Sequence, residues 1–184
     1  MRKVLFVAAV AAAAVLGGYA YADHVKSGPQ AGEQVPGPFH PLNCTGESAG
    51  QKACLYCKNG TNPVAVVFAR STDCPETAKL LKKLDEATKA HAKQNMGSFA
   101  VYLTDDDKAA DKVKAIAEKE GLKDLVLAVD NPTGPAKYKI EKDADVTVLL
   151  YVDHTVKANH AFKKGELKDA DIDAIVKDVE KIVK

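Results

Sequence analysis

ACLYCKNGTNPVAVVFARSTDCPETAKLLKKL, residues 53–84, decides how this chain is read. Its run Val64–Ala69 (VAVVFA) is continuous, apolar and rich in β-branched residues. That pattern suits a strand buried on both faces, as at the centre of an α/β sheet. The chain then turns through Ser71-Thr72-Asp73-Cys74. Pro75 fits a first helical position, and Asp73 with Glu76 three residues on resembles a capping pair. Ala78, Leu80, Leu81, Leu84 and Ala87 form one apolar stripe, predicting a helix that runs to about Ala92. Cys74 therefore stands at a helix N-terminus, where the dipole and free backbone N–H groups favour a thiolate. Cys54 and Cys57 form a C-x-x-C pair on the other side of the strand. Asn59-Gly60 and Asn62-Pro63 are turn signals, so no helix is expected directly after Cys57. Redox pairs of this spacing usually owe their thiolate to a helix starting at the first cysteine, and this pair is expected to lack one.

Downstream of this stretch, strands and helices alternate. Met96-Gly97 is expected to end the first helix, and Ser98–Leu103 (SFAVYL) reads as a second strand. Asp105-Asp106-Asp107 would open a second helix, since acids suit the positive end of its dipole. Ala109, Val113, Ile116 and Ala117 line that helix, and Gly121 is a C-terminal cap. Leu125–Val129 is a third strand, and residues 136–140 could make one helical turn. Val146–Val152 and Val156–Phe162 form a hairpin around Asp153-His154. The last helix carries Ile172, Ile175, Val176, Val179, Ile182 and Val183 on one side. The order β-α-β-α-β-(short α)-β-β-α implies parallel strands joined by right-handed crossovers, with an antiparallel hairpin at one side.

Upstream, the chain opens MRKVLFVAAVAAAAVLGGYAYAD. A basic start, a short apolar run and Ala20-Tyr21-Ala22 predict a signal peptide over 1–22. The run is short of the ~20 apolar residues that span a bilayer, so no stable membrane insertion is expected after cleavage. Residues 23–38, rich in Gly, Pro and Gln, are expected to be a flexible leader. Residues 39–184 are expected to form one domain, of which 39–62 is an N-terminal extension carrying the C-x-x-C. The formal net charge of +1 becomes −1 once Arg2 and Lys3 are removed. Neither nucleic acid nor an anionic membrane is an expected partner at that charge.

Export would carry Cys44, Cys54, Cys57 and Cys74 into an oxidising compartment, periplasmic or extracellular, where disulfides persist. Four cysteines allow three full pairings, and the sequence does not choose among them. Zinc is an alternative: Cys44, Cys54, Cys57 and either His40 or Cys74 would supply four ligands. Zinc ribbons, however, have two close pairs, and only one is present. C-type haem attachment needs histidine after the pair, and Lys58 stands there. No cofactor or metal is assigned. His91, His154 and His160 read as surface or partnered histidines. Asn43-Cys44-Thr45 and Asn59-Gly60-Thr61 match glycosylation acceptors.

The order and several segments resemble the thioredoxin-like superfamily, specifically its redoxin branch of exported reductases and peroxiredoxins. Phe39-His40-Pro41-Leu42-Asn43 with Gly46 is similar to the leading redoxin hairpin. Pro63–Ala69 is similar to the central strand, and Val146–Phe162 with Gly165–Val183 to the closing hairpin and helix. The resemblance implies a three-layer α/β/α sandwich with a central mixed sheet. It also implies thiol–disulfide chemistry with protein thiols or disulfides as partners. The motifs depart from the pattern. The loop after the central strand holds Cys74 alone in place of W-C-x-x-C. Val146 stands where a cis-proline is usual. Val67 occupies the place of the peroxiredoxin loop proline, and no arginine follows Arg70. Cys74 is then expected to attack, with Cys54 or Cys57 as resolving partner, which requires the extension to pack over the Cys74 loop. The other reading is a non-catalytic binding module whose cysteines are staples.

Overall fold

Val64–Ala69 forms β2, and all six residues are buried, as a strand covered on both faces must be. Its alternation sorts the core. Ala65, Val67 and Ala69 face one apolar cluster, and Val64, Val66 and Phe68 face another. The computed structural model describes residues 25–184, so the expected signal peptide and the first two leader residues lie outside it. Among the described residues no helix is long and apolar enough to cross a membrane.

Around β2 the elements are β1 (Leu42–Asn43), α1 (Leu55–Asn59), α2 (Pro75–Ala90), β3 (Gly97–Leu103), α3 (Ala109–Glu120), β4 (Leu125–Asp130), β5 (Val146–Val152), β6 (Thr155–Phe162) and α4 (Asp169–Asp178). The sheet order is β1-β4-β3-β2-β5-β6. The three strands β2, β3 and β4 are parallel, and β5, β6 and β1 run antiparallel to their neighbours. This is the mixed α/β sheet that the alternation predicts. Leu80, Leu81 and Leu84 of α2, Val113 of α3, and Ile172 and Ile175 of α4 are fully buried in one cluster. Burying each such side chain stabilises the fold by about 1.5–3 kcal/mol. The opposite face is covered by Val35, Phe39 and Leu55 from the N-terminal segment and by Tyr138 and Ile140. Phe39 packs edge-on to Tyr138, with ring centroids 5.0 Å apart.

Three local expectations are corrected. Residues 25–38 are docked, not a free tether. Val35 N–H donates to His154 O at 2.7 Å, Val156 N–H to Glu33 O at 2.9 Å, and buried Ser27 shares a 2.7 Å hydroxyl contact with Thr147. The leader therefore lies along the edge strand β6, whose unpaired backbone groups it satisfies. The Asp73–Glu76 capping pair does not form. Cys74 is the cap residue of α2, without a side-chain capping bond, and Asp73 N–H is taken by Ser71 Oγ. Gly97 opens β3 instead of closing α2, because its N–H donates to Pro63 O at 2.9 Å.

Gly97 is also where β3 meets α1. A Cβ there would fall on the Asn59 side chain, whose Nδ2 donates to Leu55 O at 2.8 Å. Gly97→Ala should push Asn59 aside and cost that bond, about 1 kcal/mol. The expected readout is a thermal midpoint lower by roughly 2–4 °C. The same change made in an Asn59→Ala background should cost clearly less; equal costs would rule out Asn59 as the cause.

Candidate functional site

The three candidate cysteines lie at two ends of the sheet. Cys74 follows the C-terminal end of β2. There Arg70 N–H donates to Asp145 O, beside the start of β5. Cys54 and Cys57 precede the other end, where Asp153 N–H donates to Thr61 O beyond the end of β5. Six strand residues at about 3.3 Å each separate these ends by roughly 20 Å. The extension thus does not pack over the Cys74 loop, and the structure does not bring Cys74 together with Cys54 and Cys57.

Cys54 and Cys57 are joined to each other by a disulfide, with Cα atoms 5.2 Å apart. The expectation of no helix at this pair is corrected. Helix α1 begins at Leu55 with Cys54 as its cap residue and ends at Gly60, whose N–H closes onto Tyr56 O. The turn signals Asn59-Gly60 stop the helix after five residues but do not prevent it. Cys57 N–H donates to Cys54 Sγ at 3.0 Å. Cys57 is exposed and Cys54 half-buried. Cys57 is thus the more solvent-open member of the pair, and the Cys54 sulfur accepts a hydrogen bond of the kind that favours a thiolate. Leu55 is buried in the extension-side core and roots the helix there.

Of the aromatic rings at this end the sequence singles out His154 alone, as a surface or partnered histidine, and not Tyr56 or Tyr151. The Tyr56 ring lies 5.0 Å from that of His154 and 6.4 Å from that of Tyr151. His154 sits in the β5–β6 turn with φ +58° after Asp153 at +50°. Its buried Nδ1 and the buried Tyr151 hydroxyl have no hydrogen-bond partner. The Asp153-His154 pair signalled only the turn; nothing in the sequence places that turn beneath the C-x-x-C.

Cys74 is a free, half-exposed thiol. Its Sγ donates to Glu76 Oε2 at 3.3 Å. The Glu76 carboxyl is held below its usual range, first by a backbone N–H and then by this thiol. Arg70, four residues before Cys74, is committed elsewhere. Its guanidinium donates to the carbonyls of Ala144, Pro132 and Glu141, tying the β4–β5 connection to the end of β2. Cys74 borders a groove of about 590 Å³ between α2 and α3, with Ala78, Ile116, Lys82 and Lys112 along its sides.

Cys44 lies in the helix-side core, 4% exposed, with its Sγ 3.7 Å from Leu42 O. Burial pushes its thiol up, with Lys114 working against that. The four-ligand zinc arrangement is not met: Cys54 and Cys57 are bonded to each other and Cys44 is enclosed in the core. Among the described residues no group of three or more His, Cys, Asp or Glu could hold a metal. Of the two glycosylation matches, Asn43 is buried and Asn59 is engaged with α1. A thiol titration should therefore find one fast thiol, Cys74, in the native protein and a second, Cys44, only on unfolding. Two fast native thiols would contradict the buried placement of Cys44.

No protein-family model matches the chain, and no curated protein matches it in sequence. Its structure is similar to that of a proposed protein disulfide isomerase from Bacteroides thetaiotaomicron. That match has 16% identity and a TM-score of 0.64 over 86% of this chain and 94% of the other. It is similar also to a proposed thiol:disulfide interchange protein DsbE from Chlorobium tepidum, at 18% identity and TM-score 0.61 over 87% and 99%. Peroxidoxin BcpB from Mycobacterium tuberculosis gives 18% identity and TM-score 0.59 over 86% and 99%. The fold is thioredoxin-like. At these identities the likeness is one of fold, and function rests on the site.

Proposed function

We propose that this protein is an exported thiol–disulfide oxidoreductase whose exchanging group is the Cys54–Cys57 disulfide. The observation that carries this reading is the arrangement of the pair. It forms a closed disulfide in which Cys57 is the exposed residue and the Cys54 sulfur is hydrogen-bonded by the Cys57 N–H. A substrate thiolate attacks Cys57 Sγ. A mixed disulfide forms there, and the electron pair of the broken S–S bond passes to Cys54 Sγ. A second substrate thiolate then attacks the substrate sulfur of the mixed disulfide and releases Cys57. The substrate dithiol is oxidised, and the pair takes up two electrons and two protons. The same steps reversed reduce a substrate disulfide. Cys74, at the end of β2 where a thioredoxin-like fold usually carries its reactive cysteine, is a separate thiol. A mixed disulfide on Cys74 would be resolved by an external thiol, because Cys54 and Cys57 lie at the other end of the strand.

The neighbours' described activities, thiol–disulfide interchange among them, support protein thiols and disulfides as the partner class. The predicted signal peptide supports export. The test is turnover. The mature protein is assayed for insulin reduction with a thiol donor and for oxidation of a dithiol peptide, with the redox state of Cys54–Cys57 followed by alkylation and mass analysis. Cycling of the pair in step with substrate supports the reading. A pair that stays closed through excess dithiothreitol in the folded protein overturns it in favour of a structural staple.

A further inference from the structure

Position 154 pairs two demands that few side chains meet. Its φ of +58° lies in the left-handed region, which Gly and Asn occupy at least cost and His more readily than most other residues. Its ring lies against Tyr56, the residue between Leu55 and Cys57, with centroids 5.0 Å apart. Glycine or asparagine would suit the backbone and supply no ring. Phenylalanine would supply a ring and fit the backbone poorly. Buried Nδ1 has no partner, so a hydrogen bond from that nitrogen is not what selects histidine. What histidine adds here is a ring on a left-handed turn.

That turn grips the redox module from several sides. Asp153 N–H donates to Thr61 O on the link from α1 to β2, and His154 O accepts from Val35 N–H of the leader. Tyr151 also lies near Tyr56, at 6.4 Å between centroids. Helix α1 has five residues, too few to stay wound by its own hydrogen bonds once the disulfide opens.

Resting on the reading that Cys54–Cys57 exchanges, we propose that His154 is a positioning residue for this pair. Its ring holds Tyr56 so that α1 stays wound in the dithiol state and the two sulfurs remain within closing distance. Each thiol then sees the other at a high effective concentration, and the disulfide is favoured against external thiols.

The test is the equilibrium of Cys54–Cys57 with defined ratios of reduced and oxidised glutathione, read by alkylation and peptide mass. Wild type is compared with His154→Asn and His154→Phe, and the thermal midpoint of each is measured separately. Asparagine suits the turn, so that variant should fold; its equilibrium constant for closure should fall about tenfold. His154→Phe should melt lower because of its backbone, yet keep closure within about twofold of wild type. An Asn variant that closes as well as wild type overturns the proposal, as does an equal loss in both variants. A wild-type pair that does not exchange with glutathione overturns the oxidoreductase reading as well, so the two failures are distinguishable.

Discussion

Cys57→Ser is expected to remove thiol–disulfide exchange by this protein, lowering turnover by about two orders of magnitude or more. The disulfide is gone, and no sulfur remains on the exposed side for a substrate thiolate to attack. Cys54→Ser should behave differently. Exposed Cys57 would then be a free thiol that can enter a mixed disulfide but has no neighbour to release it. Incubation with glutathione disulfide should leave a persistent adduct on Cys57, located by peptide mass and told apart from any adduct on Cys74 by repeating it in a Cys74→Ser background. Cys74→Ser should cycle at close to the wild-type rate, because Cys74 lies roughly 20 Å away along β2. A staple predicts another pattern. Both Cys54→Ser and Cys57→Ser would lower stability alike, by about 2 kcal/mol on the chain-entropy view of so short a loop, with no exchange to lose. Activity that survives Cys57→Ser and disappears in Cys74→Ser would reverse the assignment of the two sites.

The fold was legible where pattern is local and repeated. VAVVFA could hardly be other than a central strand, and the stripe of Leu80, Leu81 and Leu84 reads as α2 to within a few residues. The closing hairpin was legible too, because Val146–Val152 and Thr155–Phe162 flank a two-residue turn. Three things were not. The first is α1. Asn59-Gly60 signals a turn, yet it only ends a helix, and the five residues Leu55–Asn59 are kept wound by the disulfide and by buried Leu55. Neither stabilising contact is visible in local propensity. The second is the leader. Gly, Pro and Gln carry no apolar period, but the docking is through backbone groups to β6, and backbone donors leave no trace in composition. The third is the separation of the cysteines. Cys57 and Cys74 are only 17 positions apart in sequence, but those positions include the whole of β2, which carries the chain from one end of the sheet to the other. The site's aromatic flank, Tyr56 against His154 and Tyr151, depends on β5 lying antiparallel beside β2. Only the tertiary pairing shows it.

The largest expected loss of stability follows from a different kind of residue. Asp85 sits on the inner side of α2 and is 9% exposed. Its Oδ1 accepts three backbone N–H groups, from Lys123, Asp124 and Leu125, at 2.9, 2.7 and 2.8 Å. These three donors belong to the loop that ends the α3 crossover and starts β4, so one carboxylate oxygen fixes where β4 enters the sheet. Asp85→Ala removes all three bonds at once and leaves the Leu125 N–H unpaired where it is buried, while Lys123 and Asp124 lie at the exposed side of the loop. Bonds to a charged acceptor contribute about 1.5–3 kcal/mol each, and neighbouring bonds to one atom are not additive. A loss of about 3–5 kcal/mol is expected, in the range of a broken buried network. For a chain of this size that is roughly 8–15 °C in thermal midpoint. Asp85→Asn keeps one oxygen with less charge and should recover about half of it, provided the amide nitrogen turns away from the three donors. Hydrogen exchange should show Leu125 and its neighbours opening first, while the amides of α1 at the far end of the sheet keep wild-type protection. Protection lost equally at both ends would mean that Asp85 supports the whole fold and not the entry of β4. Because the site at Cys54–Cys57 does not share these contacts, glutathione exchange by Asp85→Ala below its melting temperature should remain at the wild-type level. That separates a residue that holds the sheet together from those that make its chemistry.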